Sequence, residues 1–472
     1  MQHLADLAVR IREQGLPAAL REDVARRVLD LTGNALAATT EEPARAVGAV
    51  ARGWGGAAQA TAIGSAVRLP APAAALVNGT LAHALDFDDT HLPSVLHPSS
   101  SVIPAALAVA ETHGRGGAEL LDAAGVGIEA TVRIGMAGYD PALGNSIFFE
   151  RGLHATSICG TIGAAIAAGM LLGLDADGIA SAAGVAASMG AGVIEANRTG
   201  GTVKRVHCGW AAHAGVAAAE LAAHGITGPP TVLEGRFGFL QAYCGDGARP
   251  EAITDGLGEE WELPGIFFKP YPCNHFTHAG IDAARRLREG GLDPADIASI
   301  ELGAASAVLR TIGEPAAAKA RPESGYHAAF SGPYTVAAAL LGGGGLGVFH
   351  EDFTDAAAKN PERLALAAKV RCVPDARCDE IFPHQFPAVL RVTRTDGTLL
   401  EERVNVNRGG PGNPLSAHEL ATKFHGNATR TVDETTATIL TEAAFTLPTL
   451  ANLTPLTTHL RPHDQQIGGR NL

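Results

Sequence analysis

The residues best suited to chemistry are concentrated in one stretch, 81–111, which reads LAHALDFDDTHLPSVLHPSSSVIPAALAVAE. Its acidic and histidine side chains are Asp86, Asp88, Asp89, His83, His91 and His97. Burying carboxylates is costly unless they are paired or hydrogen-bonded. A chain that places these groups between alanine-rich apolar runs must therefore either pair the charges or use them for chemistry.

A structural interpretation of the same stretch is also open. The DFDDT segment is compatible with a helix that ends in a capped turn, because Asp and Thr side chains bond to nearby backbone groups. The second half predicts a loop and then a helix over Ala105–Glu111, with Pro104 in its first turn. His97 would then lie in the loop just before a helix, where a rigid scaffold can hold a catalytic side chain.

Two lysines stand out because of their settings. Lys204 follows glycines in the basic loop Glu195–His207, and Lys269 lies between an apolar run and a proline-rich turn, ahead of His275 and His278. The prolines fix the backbone around Lys269. Together with Asp, His and Tyr, such lysines suit proton transfer next to a carboxylate, because they neutralise an enolate-like charge while another group moves the proton.

Motifs for other kinds of site are missing from the sequence. No cysteine pair has CxxC spacing, and there is no glycine-rich phosphate loop, HExxH or GxSxG. A metal hydratase with His83, His91 and His97 as ligands is a further alternative, but no two of them have i,i+4 spacing and a proline interrupts the segment. We therefore rank the metal hydratase last among the alternatives.

Composition limits the class of protein. The 472 residues suggest two domains, and a hydrophobic fraction of 46% can build a large core. Aromatic residues make up only 5%, which favours closely packed helices built from small side chains. A net charge of −13 argues against nucleic-acid and anionic-membrane partners. Scattered cysteines and a charged N-terminal stretch indicate reduced thiols, no secretory signal and a cytoplasmic location.

The first half of the chain has helical periodicity. Helices are predicted within 3–40 (two), and over Arg45–Gly55, Glu119–Gly135 and Gly209–Gly225. The segment Ala155–Leu174 has no charged residue and is long enough to cross a bilayer, but its Gly, Ala, Ser and Thr content favours a helix buried in a helical domain. His154 stands at the beginning of that helix.

The pattern changes near residue 262. The segments predicted there are a strand-like run at Ile266–Phe268, a helix at His278–Glu289, a strand at Ile297–Leu302 and a hairpin of Ala388–Arg394 and Leu399–Val406 around Asp396-Gly397. Ser416 is predicted to cap a helix over Ala417–Phe424, and the residues after Pro462 to be disordered. The fold class is therefore mainly α, with an all-helical large domain and a smaller α+β domain.

Six stretches in order along the chain carry a more specific pattern. They read HALDFDDTH…HPSS…PAALAVAE, GLHATSICGTIGAA, GTVKRVHCGWAAHAG, KPYPCNHFTHAGIDAA, FSGPYTVAAAL and GGPGNPLSAHELATKF. This pattern resembles the MmgE/PrpD family, which includes 2-methylcitrate dehydratase, cis-aconitate decarboxylase and iminodisuccinate epimerase. The resemblance implies a discontinuous large helical domain, residues 1–264 completed by 412–472, and a smaller α+β lid domain, residues 265–411. It also implies a homodimer that works without metal or organic cofactor.

The resemblance also implies site residues. The catalytic positions of the family match Asp86, His97, His154, Lys204, Lys269 and Tyr334, although Leu153 replaces the aromatic residue that usually precedes the second histidine. The residues expected to contact substrate are Thr90, His207, Asn274, His275 and His278. In cis-aconitate decarboxylases of the family a histidine follows the second lysine by five residues, and here that position is Asn274. This departure argues against decarboxylation of cis-aconitate.

The sequence thus predicts a cofactor-independent lyase that acts on a small di- or tricarboxylate. The preferred reaction is hydration or dehydration of a 2-methylcitrate-like acid by proton abstraction next to a carboxylate. His97 or His154 would be the base and the other the acid, Asp86 would orient a histidine, and Tyr334 would donate to a carboxylate or a leaving hydroxyl. Epimerisation or decarboxylation of an iminodisuccinate- or cis-aconitate-like acid, and a catalytically inactive carboxylate-binding protein, are the alternatives.

Overall fold

The structure is a computed structural model that describes residues 1–461, and these fall into two compact units. The first unit runs from Met1 to Ile266 and resumes at Phe424, whereas the second is the continuous segment Phe267–Lys423. The domain junctions expected from the sequence were 264/265 and 411/412. The second junction falls later than predicted, between Lys423 and Phe424, inside the helix Ala417–Ala428. The segment after Pro462, predicted to be disordered, lies outside the described residues.

The first unit is built mainly from helices, with two small hairpins. Its elements before the second unit are α1 (Gln2–Gln14), α2 (Ala18–Ala37), α3 (Glu42–Trp54), β1 (Ala60–Thr61), β2 (Arg68–Leu69), α4 (Ala71–His83), α5 (Ser99–Thr112), α6 (Gly117–Met136), β3 (Tyr139–Asp140), β4 (Asn145–Ser146), α7 (Ile147–Glu150), α8 (Ala155–Leu172), α9 (Ala176–Ala187), α10 (Ala196–Thr199), α11 (His207–Ala223), α12 (Phe239–Tyr243) and α13 (Glu251–Thr254). The long helices agree with the sequence pattern, whose periodicity reports one buried face.

Helix α8 is the centre of the first unit. It packs against α5, α6, α9 and α11. In the part of the chain that the structure describes, it is the one helix long and apolar enough to cross a membrane, and 94% of it is buried inside the protein. This agrees with the prediction of a buried helix, since small side chains on all faces allow neighbours to approach from every direction.

Helices α4 and α11 are in backbone contact. A Cβ atom added to Gly79 of α4 would lie 2.8 Å from Cα of Gly209 in α11, and one added to Gly209 would lie 2.2 Å from the Leu76 carbonyl oxygen. Only glycine fits at such a crossing. These two helices therefore have a fixed spacing, with His83 at the end of α4 and the predicted site residue His207 at the start of α11.

Helix α5 begins earlier than the sequence predicted. It starts at Ser99, so that Pro104 lies inside the helix instead of in its first turn. The hydroxyl groups of Ser99 and Ser100 donate to the carboxylates of Asp89 and Asp88, which ties the start of the helix to the preceding loop. Tertiary contacts have overridden the local proline signal here.

The second unit is an α+β fold. Its elements are α14 (His278–Glu289), β5 (Ile297–Ala304), α15 (Ser306–Ile312), α16 (Ala316–Ala320), α17 (Gly325–Ala328), α18 (Gly332–Leu340), α19 (Pro361–Ala367), β6 (Val370–Pro374), α20 (Ala376–Ile381), β7 (Ala388–Arg394), β8 (Leu399–Val404) and α21 (Ala417–Ala428), the last of which continues into the first unit. After α21, the described part of the first unit continues with α22 (Glu434–Phe445) and α23 (Thr454–Thr457).

The sheet of the second unit has the strand order β6-β5-β7-β8. Strands β7 and β8 form the predicted hairpin, β7 pairs antiparallel with β5, and β5 pairs parallel with β6. Strand β6 was not predicted. The strand-like run at Ile266–Phe268 belongs to no sheet of the described chain: Phe267 forms only an isolated β-bridge, and the Phe268 N–H donates to the Gly409 carbonyl at 2.9 Å. The predicted cap of α21 is confirmed, since the side chains of Ser416 and Glu419 bond to each other's backbone N–H.

Replacing Gly209 with Ala tests the crossing of α4 and α11. The added methyl group would overlap the Leu76 carbonyl, so we expect destabilisation of about 1–3 kcal/mol or more. Thermal and urea unfolding midpoints measure the effect. Gly53→Ala is the matched control, because Gly53 is a helical glycine with nothing within 4 Å of an added Cβ. That change should be neutral or stabilising by up to about 1 kcal/mol, and equal losses in both variants would contradict the packing argument.

Candidate active site

A buried ion pair holds the loop between α4 and α5 in place. Arg27 of α2 donates from Nη1 to Asp89 Oδ2 at 2.8 Å, and both side chains are almost fully buried. Ser99 at the start of α5 donates to the same carboxylate oxygen at 2.5 Å. The remaining guanidinium donors reach Asp23 at 2.8 Å and the carbonyls of Leu263 and Ile266. The cost of burying the two charges is therefore offset by a full set of partners.

His83 and Asp88 form a second buried pair in the same loop. Nδ1 of His83, the last residue of α4, lies 2.8 Å from Asp88 Oδ2, and Ser100 donates to that oxygen as well. Burial acts to lower the pKa of His83, but the Asp88 carboxylate and then the Cys208 sulfur outweigh it and raise the pKa to about 10. His83 is therefore an imidazolium at neutral pH.

His97 is oriented by the backbone. Its Nδ1 lies 2.8 Å from the carbonyl oxygen of Asp89, and Thr90 Oγ1 lies 3.3 Å from the same nitrogen. Because a carbonyl oxygen can only accept, Nδ1 carries a proton. Nε2 is 4.0 Å from Asp86 Oδ1, which is beyond hydrogen-bond distance. The Asp89 carbonyl thus orients His97, and the orienting role of Asp86 stays a prediction.

Asp86 and Lys204 form the accessible corner of the cluster. Lys204 belongs to a 3₁₀ turn, Val203–Val206, and its Nζ is 3.6 Å from Asp86 Oδ1. Their side chains are 23% and 33% exposed, compared with 12% for His97. Asp86 has φ of 51°, a left-handed conformation that Asp tolerates better than most residues. A ligand that approaches the cluster from solvent therefore meets Asp86, Lys204 and the edge of His97 first.

His154 and His207 share a hydrogen bond. His154 directly precedes α8 and His207 opens α11, and their Nδ1 atoms are 3.0 Å apart. Burial, followed by the charges of Lys204 and His83, lowers the pKa of His154 well below its usual value. Burial, followed by His83 and Lys204, lowers the pKa of His207 to about 4. Both rings are neutral near pH 7, and His154 Nε2 is buried without a hydrogen-bond partner among the described residues.

The four imidazoles form a continuous row. Ring centroids are 5.2 Å apart for His97 and His83, 5.6 Å for His83 and His154, and 5.0 Å for His154 and His207. The first unit thus brings together the predicted residues Asp86, Thr90, His97, His154, Lys204 and His207. Sequence reasoning missed Arg27 as a site residue, considered His83 only as a ligand in the metal alternative, and assigned no role to Asp88 or Asp89, although these last three residues were visible in the HALDFDD run.

The other predicted residues lie in the second unit. Lys269 is buried there. Asn274 accepts from the Phe276 N–H at 3.1 Å and so caps the short turn that follows. His275 Nε2 lies 2.9 Å from the side-chain amide of Asn407, and His278 Nε2 lies 3.2 Å from the Cys273 carbonyl. The two histidines have ring centroids 4.6 Å apart, so they form a polar cluster of their own.

Tyr334 is part of the core of the second unit. Its side chain is fully buried, and its hydroxyl donates to the Asp352 carbonyl at 2.6 Å and accepts from Arg363 at 3.1 Å. Burial raises the pKa of Tyr334. These contacts give the tyrosine a packing role, and its catalytic role stays a prediction that would require the hydroxyl to exchange partners.

The metal alternative does not fit the arrangement of the three histidines. His91 turns its Nδ1 to Ser94 at 2.6 Å and its Nε2 toward Glu262 at 3.6 Å, and it belongs to no converging group of possible ligands in the described chain. Ligand atoms do converge in two other sets, His83 with Asp88 and Cys208, and Asp86 with Asp88 and His97. Protein hydrogen bonds and the Lys204 pair already engage these atoms, so we assign no metal to either set.

Replacing Asp89 with Asn tests the anchoring ion pair. The change leaves the Arg27 charge buried without its counter-charge, so we expect a loss of about 3–5 kcal/mol in stability and a loosened site loop. Urea denaturation followed by circular dichroism measures the first effect. The control is Glu251→Gln, which breaks the exposed pair with Arg249 and should cost under about 1 kcal/mol. An Asp89→Asn variant as stable as the control would contradict the anchoring role.

Comparison with known proteins finds similarity over almost the whole chain. The MmgE/PrpD N-terminal domain matches residues 2–251 and the MmgE/PrpD C-terminal domain matches residues 271–447. Cis-aconitate decarboxylase of Homo sapiens is 30% identical over 454 residues, which cover 92% of this chain and 89% of the relative. Cis-aconitate decarboxylase of Aspergillus terreus is 30% identical, over 84% of this chain and 82% of the relative. Cis-aconitate decarboxylase of Mus musculus is 31% identical, over 84% of this chain and 79% of the relative. The chain is therefore an enzyme of the MmgE/PrpD family.

Proposed function

We propose that this enzyme is a cofactor-independent lyase that decarboxylates a small unsaturated tricarboxylate of the cis-aconitate type. The observation that carries the proposal is the row of imidazoles, one charged and two neutral, beside the half-exposed lysine of the first unit. The similarity to cis-aconitate decarboxylases over most of the chain supports the same reaction class.

The charged groups near His97 and those near His154 have opposite signs. Two carboxylates lie near His97, since Asp86 is 4.0 Å from its Nε2 and Asp88 is 3.9 Å from its Nδ1. Cations surround His154, because Lys204 and His83 both act to lower its pKa. Environments that separate two titratable groups in this way assign the acid and the base. His97 is the proton donor in this proposal, and His154 is the neutral acceptor.

Decarboxylation follows from these roles. The bond between carbon and the departing carboxyl group breaks, CO₂ leaves, and the electron pair moves through the neighbouring double bond toward a retained carboxylate. Lys204, which faces solvent, binds that carboxylate and balances the charge that develops on it. The doubly protonated His97 then donates its Nε2 proton to the carbon next to that retained carboxylate, while the new double bond includes the carbon that lost CO₂. No redox partner is required, because the electron pair stays within the product.

Dehydration is the second candidate, and the acid–base pair itself favours it. Removal of water from a hydroxy tricarboxylate needs a base for the proton next to a carboxylate and an acid for the departing hydroxyl, and His154 and His97 supply both. Asn274, at the position where the family's decarboxylases carry a histidine, points in the same direction. The two reactions share the site and differ in the bond that breaks.

Proton NMR in deuterated water distinguishes them. The acids to test are cis-aconitate, citrate, 2-methylcitrate and iminodisuccinate. Decarboxylation predicts CO₂ release and one deuterium on the product carbon, whereas dehydration predicts a new alkene, or its loss in the reverse direction, with all carboxyl groups retained. Deuterium exchange alone would indicate epimerisation. Absence of any reaction together with thermal stabilisation by one of the acids would reject a lyase in favour of a binding protein.

Variants of the first unit test the assigned residues. His97→Gln and Lys204→Met should each lower kcat by about 100-fold or more without changing the melting temperature much. His113→Gln and Lys359→Met are the matched controls, since both side chains are exposed and outside the cluster. Wild-type turnover in His97→Gln would remove the proposed proton donor.

Lys269→Ala tests the predicted site lysine that lies in the second unit. We expect loss of turnover in a variant that still folds, measured by kinetics and circular dichroism on the same sample. Full activity would remove Lys269 from the catalytic residues.

A further inference from the structure

His83 lies in the middle of the cluster but is hidden from solvent. Its side chain is 1% exposed, compared with 12% for His97 and 23% for Lys204. A substrate that reaches the accessible corner therefore contacts other residues before His83. Any effect of His83 on the reaction must act through the groups that surround it.

The partners of His83 come from several elements and fix its charge. Asp88, in the loop, lies 2.8 Å from its Nδ1, and Ser100 of α5 donates to the same carboxylate. Cys208 of α11 is a further partner, with its sulfur within 4.8 Å of the ligand atoms of His83 and Asp88. A buried imidazole between a carboxylate and a sulfur keeps its proton, because the neutral form would leave a carboxylate buried without a counter-charge.

The ring of His83 also neighbours both of the proposed proton-transfer groups. Its centroid is 5.2 Å from that of His97 and 5.6 Å from that of His154. The titratable groups that act on His154 are Lys204 from the 3₁₀ turn, His83 from α4, His207 from α11 and His97 from the loop. None of these four is an acid. The carboxylates of Asp86 and Asp88 approach His97 instead.

We propose that His83 is a positioning residue: a buried, charged imidazolium, held by Asp88, that keeps His154 neutral and so sets the lower pH limit of catalysis. This inference rests on the proposed function for its link to catalysis, but the charge relation between the two histidines can be tested without any substrate.

The direction of the effect follows from electrostatics. A positive charge within about 6 Å disfavours protonation of a neighbouring imidazole. Burial lowers the pKa of His154, and Lys204 and His83 lower it further, while the pKa of His83 itself is raised to about 10. Removing the charge of His83 should therefore raise the pKa of His154 toward its ordinary value, and His154 would become protonated at a higher pH than in the wild type.

The test is a titration of ¹⁵N-histidine-labelled full-length enzyme, followed by long-range ¹H–¹⁵N NMR. In the wild type, His83 should have two protonated nitrogens from pH 6 to 9, while His154 stays neutral. In His83→Gln, protonation of His154 should move up by about one pH unit or more. His213→Gln is the control, because His213 lies on α11 outside the cluster with its Nδ1 near the Pro72 carbonyl. It should leave the titration of His154 unchanged.

Three results would overturn the proposal. They are a neutral His83 in the wild type, a wild-type His154 that titrates at an ordinary value, and a His154 titration that His83→Gln does not change. The first two need no variant, so the proposal stays testable even if His83→Gln does not fold.

The pH profile of kcat/KM provides the link to catalysis. His83→Gln should move its acid limb upward by the same interval as the NMR titration of His154, whereas a merely structural role would lower activity at all pH values without moving the limb. If His83→Gln shifts the NMR titration of His154 but leaves the acid limb of kcat/KM where it was, the catalytic half of the proposal is overturned. If no acid is turned over, the proposed function fails, but the NMR result still decides the charge relation.

Discussion

The buried pair of Arg27 and Asp89 is the interaction on which the site depends. One guanidinium joins helix α2, the loop that carries Asp86 to His97, and the segment that ends the first unit at Ile266. Asp89 contributes its carboxylate to Arg27 and Ser99 and its carbonyl to His97. The orientation of the His97 imidazole is thus set by the backbone of a residue whose side chain is fixed by an ion pair, which is a stiffer arrangement than a chain of surface contacts would give.

A second constraint is the order of charges along the row of imidazoles. Carboxylates lie on the side of His97, cations lie on the side of His154, and the imidazolium of His83 stands between them. Neighbouring histidines therefore reach opposite protonation preferences. The contrast arises from burial and from which partners each ring meets, since all four rings belong to the same kind of residue.

Much of this could be predicted from the sequence. The helical periodicity located α1, α2, α3, α6, α11 and α14, the charge-free composition located α8, and the Asp-Gly turn located the hairpin of β7 and β8. The motif stretches identified Asp86, His97, His154 and Lys204, which the structure brings together. The sequence could not reveal Arg27, because a buried arginine on an amphipathic helix has no local signature and its partner is 62 residues away.

Other features were hidden for similar reasons. The early start of α5 depends on serine–aspartate bonds between loop and helix, and strand β6 depends on its place beside β5. The tautomer of His97 depends on a carbonyl that no motif specifies. In each case local preference was overruled by a contact between segments that sequence periodicity does not connect.

The glycine contact between α4 and α11 has a consequence for how such enzymes diversify. Because the two helices touch through Gly79 and Gly209, the distance between His83 and His207 cannot be adjusted by exchanging larger side chains at the crossing. A change of substrate on this scaffold would therefore come from residues around the partly exposed corner of Asp86 and Lys204, and not from a different spacing of the two helices.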